Sequence, residues 1–229
     1  MRTIYIRHAE KGFANGNSEY FKHDPGITEI GVERAKKIAL KLIEMFGEPT
    51  KIVSSPYRRT RETSLIMNSL LKNPLEEIQI DSGVSEYLGN HNNTNLDVTI
   101  ATQIHDPPHP ETFDQMKKRV KKHIDKVRKF SITHPREVIW IITHGLIIKQ
   151  IAGNLNIKTS RQLPYLTCFS ILEKSDLIRA EFILFKEILR IDEENRVRKI
   201  EKEKMERVLI SPGSGRDDIS GRNKQIRII

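Results

Sequence analysis

Three short apolar runs, at residues 3–6, 51–54 and 138–142, each end on a polar tip and lead into helix-patterned chain. No other feature limits the fold so strongly. Brief apolar runs without the in-out alternation of a half-exposed strand suit strands covered on both faces, as in a parallel sheet flanked by helices. Between the first two, residues 28–46 place Ile30, Ala35, Ile38, Leu42 and Met45 near helical spacing, with Thr28 and Gly31 at the entrance and Gly47 at the exit. Further helices are predicted over 59–71, 112–130 and 146–152, with a short strand over 77–80. The stretches 169–172 and 178–185, either side of Lys174, Ser175 and Asp176, read as a hairpin. The expected class is α/β, a three-layer α/β/α sandwich with a largely parallel central sheet.

Composition narrows the setting. With 229 residues the chain suffices for one sizeable domain, expected over 1–185, plus a charged extension over 186–229. That extension has apolar positions at Ile188, Ile191, Val197, Ile200 and Met205, then a Gly- and Ser-rich stretch, so it is expected to be partly helical and then flexible. The single Cys168 excludes an internal disulfide framework and a clustered-cysteine zinc site. No apolar run reaches the roughly 18 residues of a membrane span, and the N-terminus opens on a strand instead of a signal-peptide core. A cytoplasmic protein without membrane association is expected. The net charge of +9 favours anionic partners. Sparse, scattered aromatics give no sign of a base-stacking surface, so nucleic acid is not indicated.

Chemistry gathers at the strand tips. Arg7-His8 follows the first apolar run, Ser54-Ser55-Pro56-Tyr57-Arg58-Arg59 follows the second, and Thr143-His144-Gly145 follows the third. In an open parallel α/β sheet, the carboxyl ends of strands line the usual ligand crevice. The three segments are therefore expected to converge. Arginine at a helix start suits a phosphate, because its planar fork adds bidentate hydrogen bonds to the donors of the helix N-terminus. A histidine beside such cations is held from protonation and keeps a lone pair for attack.

These residues resemble the histidine phosphatase superfamily, the phosphoglycerate-mutase-like enzymes. Arg7-His8-Ala9-Glu10 is similar to its Arg-His-Gly signature, and Ile27-Thr28-Glu29-Ile30-Gly31 to its Leu-Thr-x-x-Gly helix entrance. Ser55-Pro56-Tyr57-Arg58-Arg59-Thr60 is similar to its Ser-Pro-Leu-x-Arg-Ala, and Thr143-His144-Gly145 to its late His-Gly motif, all in the family's order between residues 3 and 185. The resemblance implies that His8 takes the phosphoryl group as a phosphohistidine, while Arg7, Arg59 and His144 hold the phosphate. No metal or other cofactor is implied. Val84-Ser85-Glu86-Tyr87-Leu88-Gly89 resembles the family's Leu-x-Glu, which makes Glu86 the candidate proton donor, with Asp81, Asp97 and Glu111 as alternatives.

Departures from the pattern bear on the reaction. Ala9 replaces the usual glycine, and Ala14 stands where a phosphate-touching Asn, Ser or Thr is common, so Asn15 or Asn17 is the candidate in its place. Lys11 and Lys22 are candidates for a second anion, and His105 and His109 for the cleft. The mutase branch's longer acid motif is missing around Glu86, which favours a phosphoric monoester hydrolase acting on a phosphorylated small molecule or phosphoprotein. A mutase-type phosphotransferase, or a low-activity binding module for phosphorylated or anionic partners that uses the basic helix at 117–129, remains as an alternative. The sequence leaves the oligomeric state open.

Overall fold

The computed structural model describes residues 1–12, 24–89, 111–174, 177–183 and 185, all within the first of the two units into which the chain divides, Met1–Leu189. The expectations for 186–229, and those for Asn15, Asn17, Lys22, Asp97, His105 and His109, lie outside the described residues.

Six strands form one sheet in the order β3-β2-β4-β1-β5-β6. They are β1 (Arg2–Arg7), β2 (Lys51–Ser54), β3 (Gln79–Ile80), β4 (Val138–Thr143), β5 (Cys168–Lys174) and β6 (Leu177–Ile183). The first four run parallel, whereas β5 is antiparallel to both β1 and β6. The helices are α1 (Glu29–Phe46), α2 (Arg58–Asn68), α3 (Phe113–Thr133) and α4 (Gly145–Asn154). This is an α/β fold around a mostly parallel sheet.

The pleat sorts the buried side chains into two cores. Ile4, Ile6, Ile52, Trp140 and Ile142 meet Ile38, Leu42 and Met67 on one face. Tyr5, Val53, Ile139 and Ile141 meet Met116, Val120, Ile147 and Ile151 on the other. Successive residues of β1 and β4 serve opposite layers, which is why their sequence is apolar throughout. Two expectations shift. Met45 is exposed, because it falls off the face of α1 that buries Ile38 and Leu42. Strand β3 has two residues instead of four, because it pairs only with Val53 and Ser54 at the end of β2.

Local chemistry sets the helix ends. Thr28 accepts from the Gly31 amide at 2.9 Å, and Gly47, at φ +82°, returns its amide to Ile43. A side chain at Gly31 would collide with the Glu10 carbonyl oxygen at 2.8 Å, so only glycine lets α1 approach the chain leaving β1. Helix α3 opens with a reciprocal pair, Thr112 Oγ1 accepting from Gln115 and the Gln115 side chain accepting from the Thr112 amide.

Candidate active site

The parallel register brings the strand tips level. Ile6 pairs with Ile142 and Arg7 with Thr143, and the ladder runs on through His8 N–H to the Thr143 carbonyl at 2.9 Å. Beside it, the Ser55 amide donates to the Ile142 carbonyl at 2.9 Å. Residues far apart in sequence thereby meet at one sheet edge: Arg7, His8, Arg59, Glu86 and His144.

His8 is buried, and its Nδ1 lies 2.8 Å from the Ala9 carbonyl oxygen. A carbonyl can only accept, so Nδ1 carries the proton and Nε2 keeps its lone pair. Burial first, then His144 and Arg59, hold the His8 pKa well below the ordinary histidine value. Its ring meets that of His144 edge-on at 5.3 Å between centroids.

His144 is fully buried between two oxygens, Ser55 Oγ at 2.8 Å from Nε2 and Glu86 Oε2 at 3.0 Å from Nδ1. Burial is the largest influence, and the Arg59 charge adds to it. Despite the opposing pull of Glu86, they bring the His144 pKa down to about 4. A neutral ring that donates from Nδ1 to Glu86 and accepts the Ser55 hydroxyl at Nε2 satisfies both contacts. Burial works against ionisation of Glu86, but His144 and Arg59 outweigh it and hold the carboxyl well below the usual range.

Arg59 spans the site. Its Nη1 reaches Asp24 Oδ1 at 3.2 Å, its Nη2 reaches Glu86 Oε2 at 3.3 Å, and the guanidinium lies 4.5 Å from the Tyr57 ring. Asp24 also accepts the Arg58 amide through both oxygens, at 3.0 and 2.9 Å, and so caps α2 from 34 residues upstream. The anion that the sequence leads one to expect at this helix start is thus partly supplied by the protein. Arg7 donates from Nη1 to the Leu163 carbonyl and lies 4.2 Å from the Tyr165 ring centroid. The Nε atoms of Arg7 and Arg59 are buried and have no acceptor among the described residues. Buried donors of this kind call for an acceptor. Lys11 is close enough for Arg59, Glu86 and Arg7 to act on it, and its pKa is lowered by burial first and Arg59 second.

Glu86 follows a single 3-10 turn, Ser82–Val84, and not a strand. Arg119 holds this segment, donating from Nη1 to the carbonyls of Ser82, Gly83 and Ser85 at 3.0–3.2 Å. Its other nitrogens grip buried Glu111, Nε at 3.1 Å from Oε2 and Nη2 against Oε1. Thr143 Oγ1 donates to the Val84 carbonyl at 2.6 Å and ties the same segment to β4.

The two other described candidates for the proton donor have partners outside the His8–His144 pair. Glu111 is spent on Arg119. Asp81 accepts from Gly83 at 2.7 Å and pairs with His123 at 3.0 Å, and burial notwithstanding, that hydrogen bond brings its pKa down to about 2. The sequence reading missed Asp24, Ser55 as a partner of His144, Arg119 as the clamp, and Tyr165. Asp24 had a signal, as an acid beside the Pro25-Gly26 turn just before α1. Tyr165 had none.

Ligand atoms of His8, Glu86 and His144 lie within 4.8 Å of one another, a spacing that one ion can bridge. The donor set fits a cation poorly. Glu86 already pairs with Arg59 and His144, and the Arg7 and Arg59 charges repel a second positive centre. The same charges suit an anion.

The profile of the histidine phosphatase superfamily (branch 1) matches residues 3–173, so the chain belongs to that superfamily. Among solved structures it is similar to phosphoglycerate mutase from Bacillus anthracis, at 16% identity over 80% of this chain and 92% of that one, with a TM-score of 0.60. The ecdysone phosphate phosphatase of Bombix mori in complex with tungstate gives 14% identity, 80% and 92% coverage, and 0.59. The mycobacterial glucosyl-3-phosphoglycerate phosphatase in complex with VO3 gives 18%, 80% and 97%, and 0.53. At these identities the likeness is one of fold. No curated protein sequence matches the chain. Among the described residues, no helix is long and apolar enough to cross a membrane.

Proposed function

We propose that the protein is a metal-independent phosphatase that hydrolyses a phosphate monoester through a phosphohistidine on His8. One observation carries the reading: a buried, neutral imidazole, its Nδ1–H committed to the Ala9 carbonyl, leaves Nε2 unprotonated, with Arg59 and Arg7 close enough to act on the ring.

In the first step Nε2 attacks phosphorus and the bond to the ester oxygen breaks. Arg7 and Arg59, together with the His144 Nδ1–H once the phosphate displaces Glu86 from it, hold the phosphoryl oxygens and offset the charge that develops on them. The leaving oxygen takes its proton from Glu86. In the second step water attacks the phosphohistidine, the N–P bond breaks, Glu86 takes the water proton, and inorganic phosphate leaves.

Glu86 begins as a carboxylate bound to Arg59. A phosphate that engages Arg59 removes that compensation and adds negative charge beside Glu86, which raises its proton affinity. A substrate arriving as the monoanion brings the proton. Glu86 is thereby charged for its task by the substrate that needs it.

The test is hydrolysis of p-nitrophenyl phosphate by the wild type and His8→Ala. A loss of about a thousandfold or more is expected for a deleted nucleophile. Equal rates would remove His8 from the chemistry. Rapid quench with labelled substrate should trap an acid-labile, base-stable adduct in the wild type alone, and chelators should leave the rate unchanged.

A further inference from the structure

Beside the catalytic residues lies a cavity of about 670 Å³ whose walls include Arg7 and Glu86. If Glu86 protonates the leaving oxygen, this is where the alcohol portion of the substrate sits. The inference rests on that reading for what the cavity receives. The composition of its walls then bears on the substrate.

Two cations line it beyond Arg7: Lys149, one turn into α4, and Arg161, in the loop before β5. Glu86 is the one acid among its described lining residues, and it is already engaged by Arg59 and His144. No ion pair joins Lys149 or Arg161 to an acid among the described residues. Lys149 donates from Nζ to the Arg161 carbonyl, which spends one of its three protons and fixes the ammonium against the loop. The N-terminus of α4 adds positive potential from the same side.

The loop that carries Arg161 is bound to the phosphate-holding residue. Arg7 donates to the Leu163 carbonyl, the Leu166 amide returns to the Arg7 carbonyl at 3.2 Å, and the Arg7 amide donates to Thr167 at 2.9 Å. Leu166 takes a left-handed conformation, φ +57°, to make this turn, and Thr167 Oγ1 closes it on the Pro164 carbonyl at 2.7 Å. Tyr165 lies over Arg7, its ring centroid 4.2 Å from the guanidinium carbon, and lines the cavity beside it. The loop that carries Arg161 is thus tied to Arg7, and α4 brings Lys149 to the same cavity.

We infer that Lys149 and Arg161 form a second anion subsite, so that the substrate is a phosphate monoester whose alcohol bears its own negatively charged group. A carboxylate and a second phosphate share the required chemistry. A neutral alcohol would leave both cations without a counter-charge among the described residues.

Three esters of one carbon skeleton separate the possibilities: propyl phosphate, its analogue ending in a carboxylate, and its analogue ending in a second phosphate. For the wild type, kcat/KM should favour at least one anionic analogue over propyl phosphate by roughly tenfold or more, as expected for a charge pair in a partly desolvated cleft. Whichever analogue gains identifies the group. In the Lys149→Gln/Arg161→Gln double variant that ratio should fall toward one, whereas in Lys126→Gln, a change of α3 outside this cavity, it should persist. No preference in the wild type, or a ratio that falls equally in Lys126→Gln, would overturn the subsite. So would a double variant that loses rate on all three esters alike. Calorimetric binding of the same esters to His8→Ala separates the subsite from the reaction. If no ester is turned over but the binding preference appears and is lost in the added double variant, hydrolysis falls and the subsite stands.

Discussion

His8 and His144 are held by the sheet, whereas Glu86 is held by a clamp. The His8 amide extends the β1–β4 ladder to the Thr143 carbonyl, and His144 stands directly at the end of β4, its carbonyl accepting the Ile148 amide of α4. Glu86 follows a 3-10 turn, and the carbonyls of Ser82, Gly83 and Ser85 in its segment converge on one Arg119 nitrogen. The residues proposed to hold and attack phosphate thus sit on regular structure or directly at its end, and the one proposed to move a proton sits on chain that a side chain fixes. The difference teaches where the catalytic machinery is easiest to disturb. Arg119 touches none of the reacting groups, yet it decides where Glu86 stands.

The largest effect should follow from breaking that clamp. Arg119→Met leaves Glu111 buried without its partner, and removal of one member of a buried ion pair costs about 3–5 kcal/mol. The double variant Arg119→Met/Glu111→Leu should recover most of that stability in urea unfolding, because no lone charge is left. Activity should not recover with it. An alkyl phosphate, which needs the leaving oxygen protonated, should lose kcat far more than p-nitrophenyl phosphate, whose leaving group departs as the anion. Equal losses on both esters would show that the clamp supports the whole site and not Glu86 in particular.

The sheet-held half makes a pH prediction. His144 has a folded pKa of about 4, against about 6.5 for an unfolded histidine. Between those values the unfolded chain binds a proton that the folded protein does not, so stability rises with pH across this window and is lost as pH falls from 6.5 to 4. The full contribution is roughly 3 kcal/mol. Urea midpoints measured across the window should show the slope, and His144→Gln should reduce it, leaving the part that buried His8, whose pKa is also lowered, contributes. A slope unchanged in that variant would mean that another group carries the acid sensitivity.

The sequence made the sheet-held half readable and left the clamp-held half in doubt, for a physical reason. Apolar runs that stop at Arg7, Ser54 and Thr143 mark strand ends, and parallel strands place their carboxyl ends on one edge, so His8, Arg59 and His144 could be brought together from pattern alone. The order and number of strands were less legible, because a two-residue strand such as β3 carries little pattern. Glu86 had rivals in Asp81 and Glu111, since an acid in irregular chain shows no face. What differs is where each one pairs: Asp81 with His123 and Glu111 with Arg119, 42 and 8 positions away, whereas Glu86 pairs with Arg59 and His144 beside His8. Asp24 was passed over for the same reason.

Asp24 also offers the smallest and most discriminating perturbation of the sheet-held half. It holds Arg59 at 3.2 Å and caps α2 through the Arg58 amide, so its charge and its geometry are separable. Asparagine keeps an acceptor for the amide and removes the charge, whereas alanine removes both. Both variants take one carboxylate from buried Arg59, which keeps Glu86, so each should lose stability, and Asp24→Ala should cost about 1 kcal/mol more than Asp24→Asn, the usual loss for a missing cap. Toward inorganic phosphate as an inhibitor, Asp24→Asn should bind up to about tenfold more tightly, because a buried negative charge next to Arg59 has been removed. That outcome requires Arg59 to keep its direction without Asp24, supported by the Tyr57 ring at 4.5 Å and by its place in the first turn of α2. If phosphate instead binds more weakly to Asp24→Asn, Asp24 aims Arg59 more than it neutralises it. The residues proposed to hold phosphate would then depend on a long-range side-chain tether as Glu86 does on Arg119, and the contrast between the two halves would narrow to the histidines.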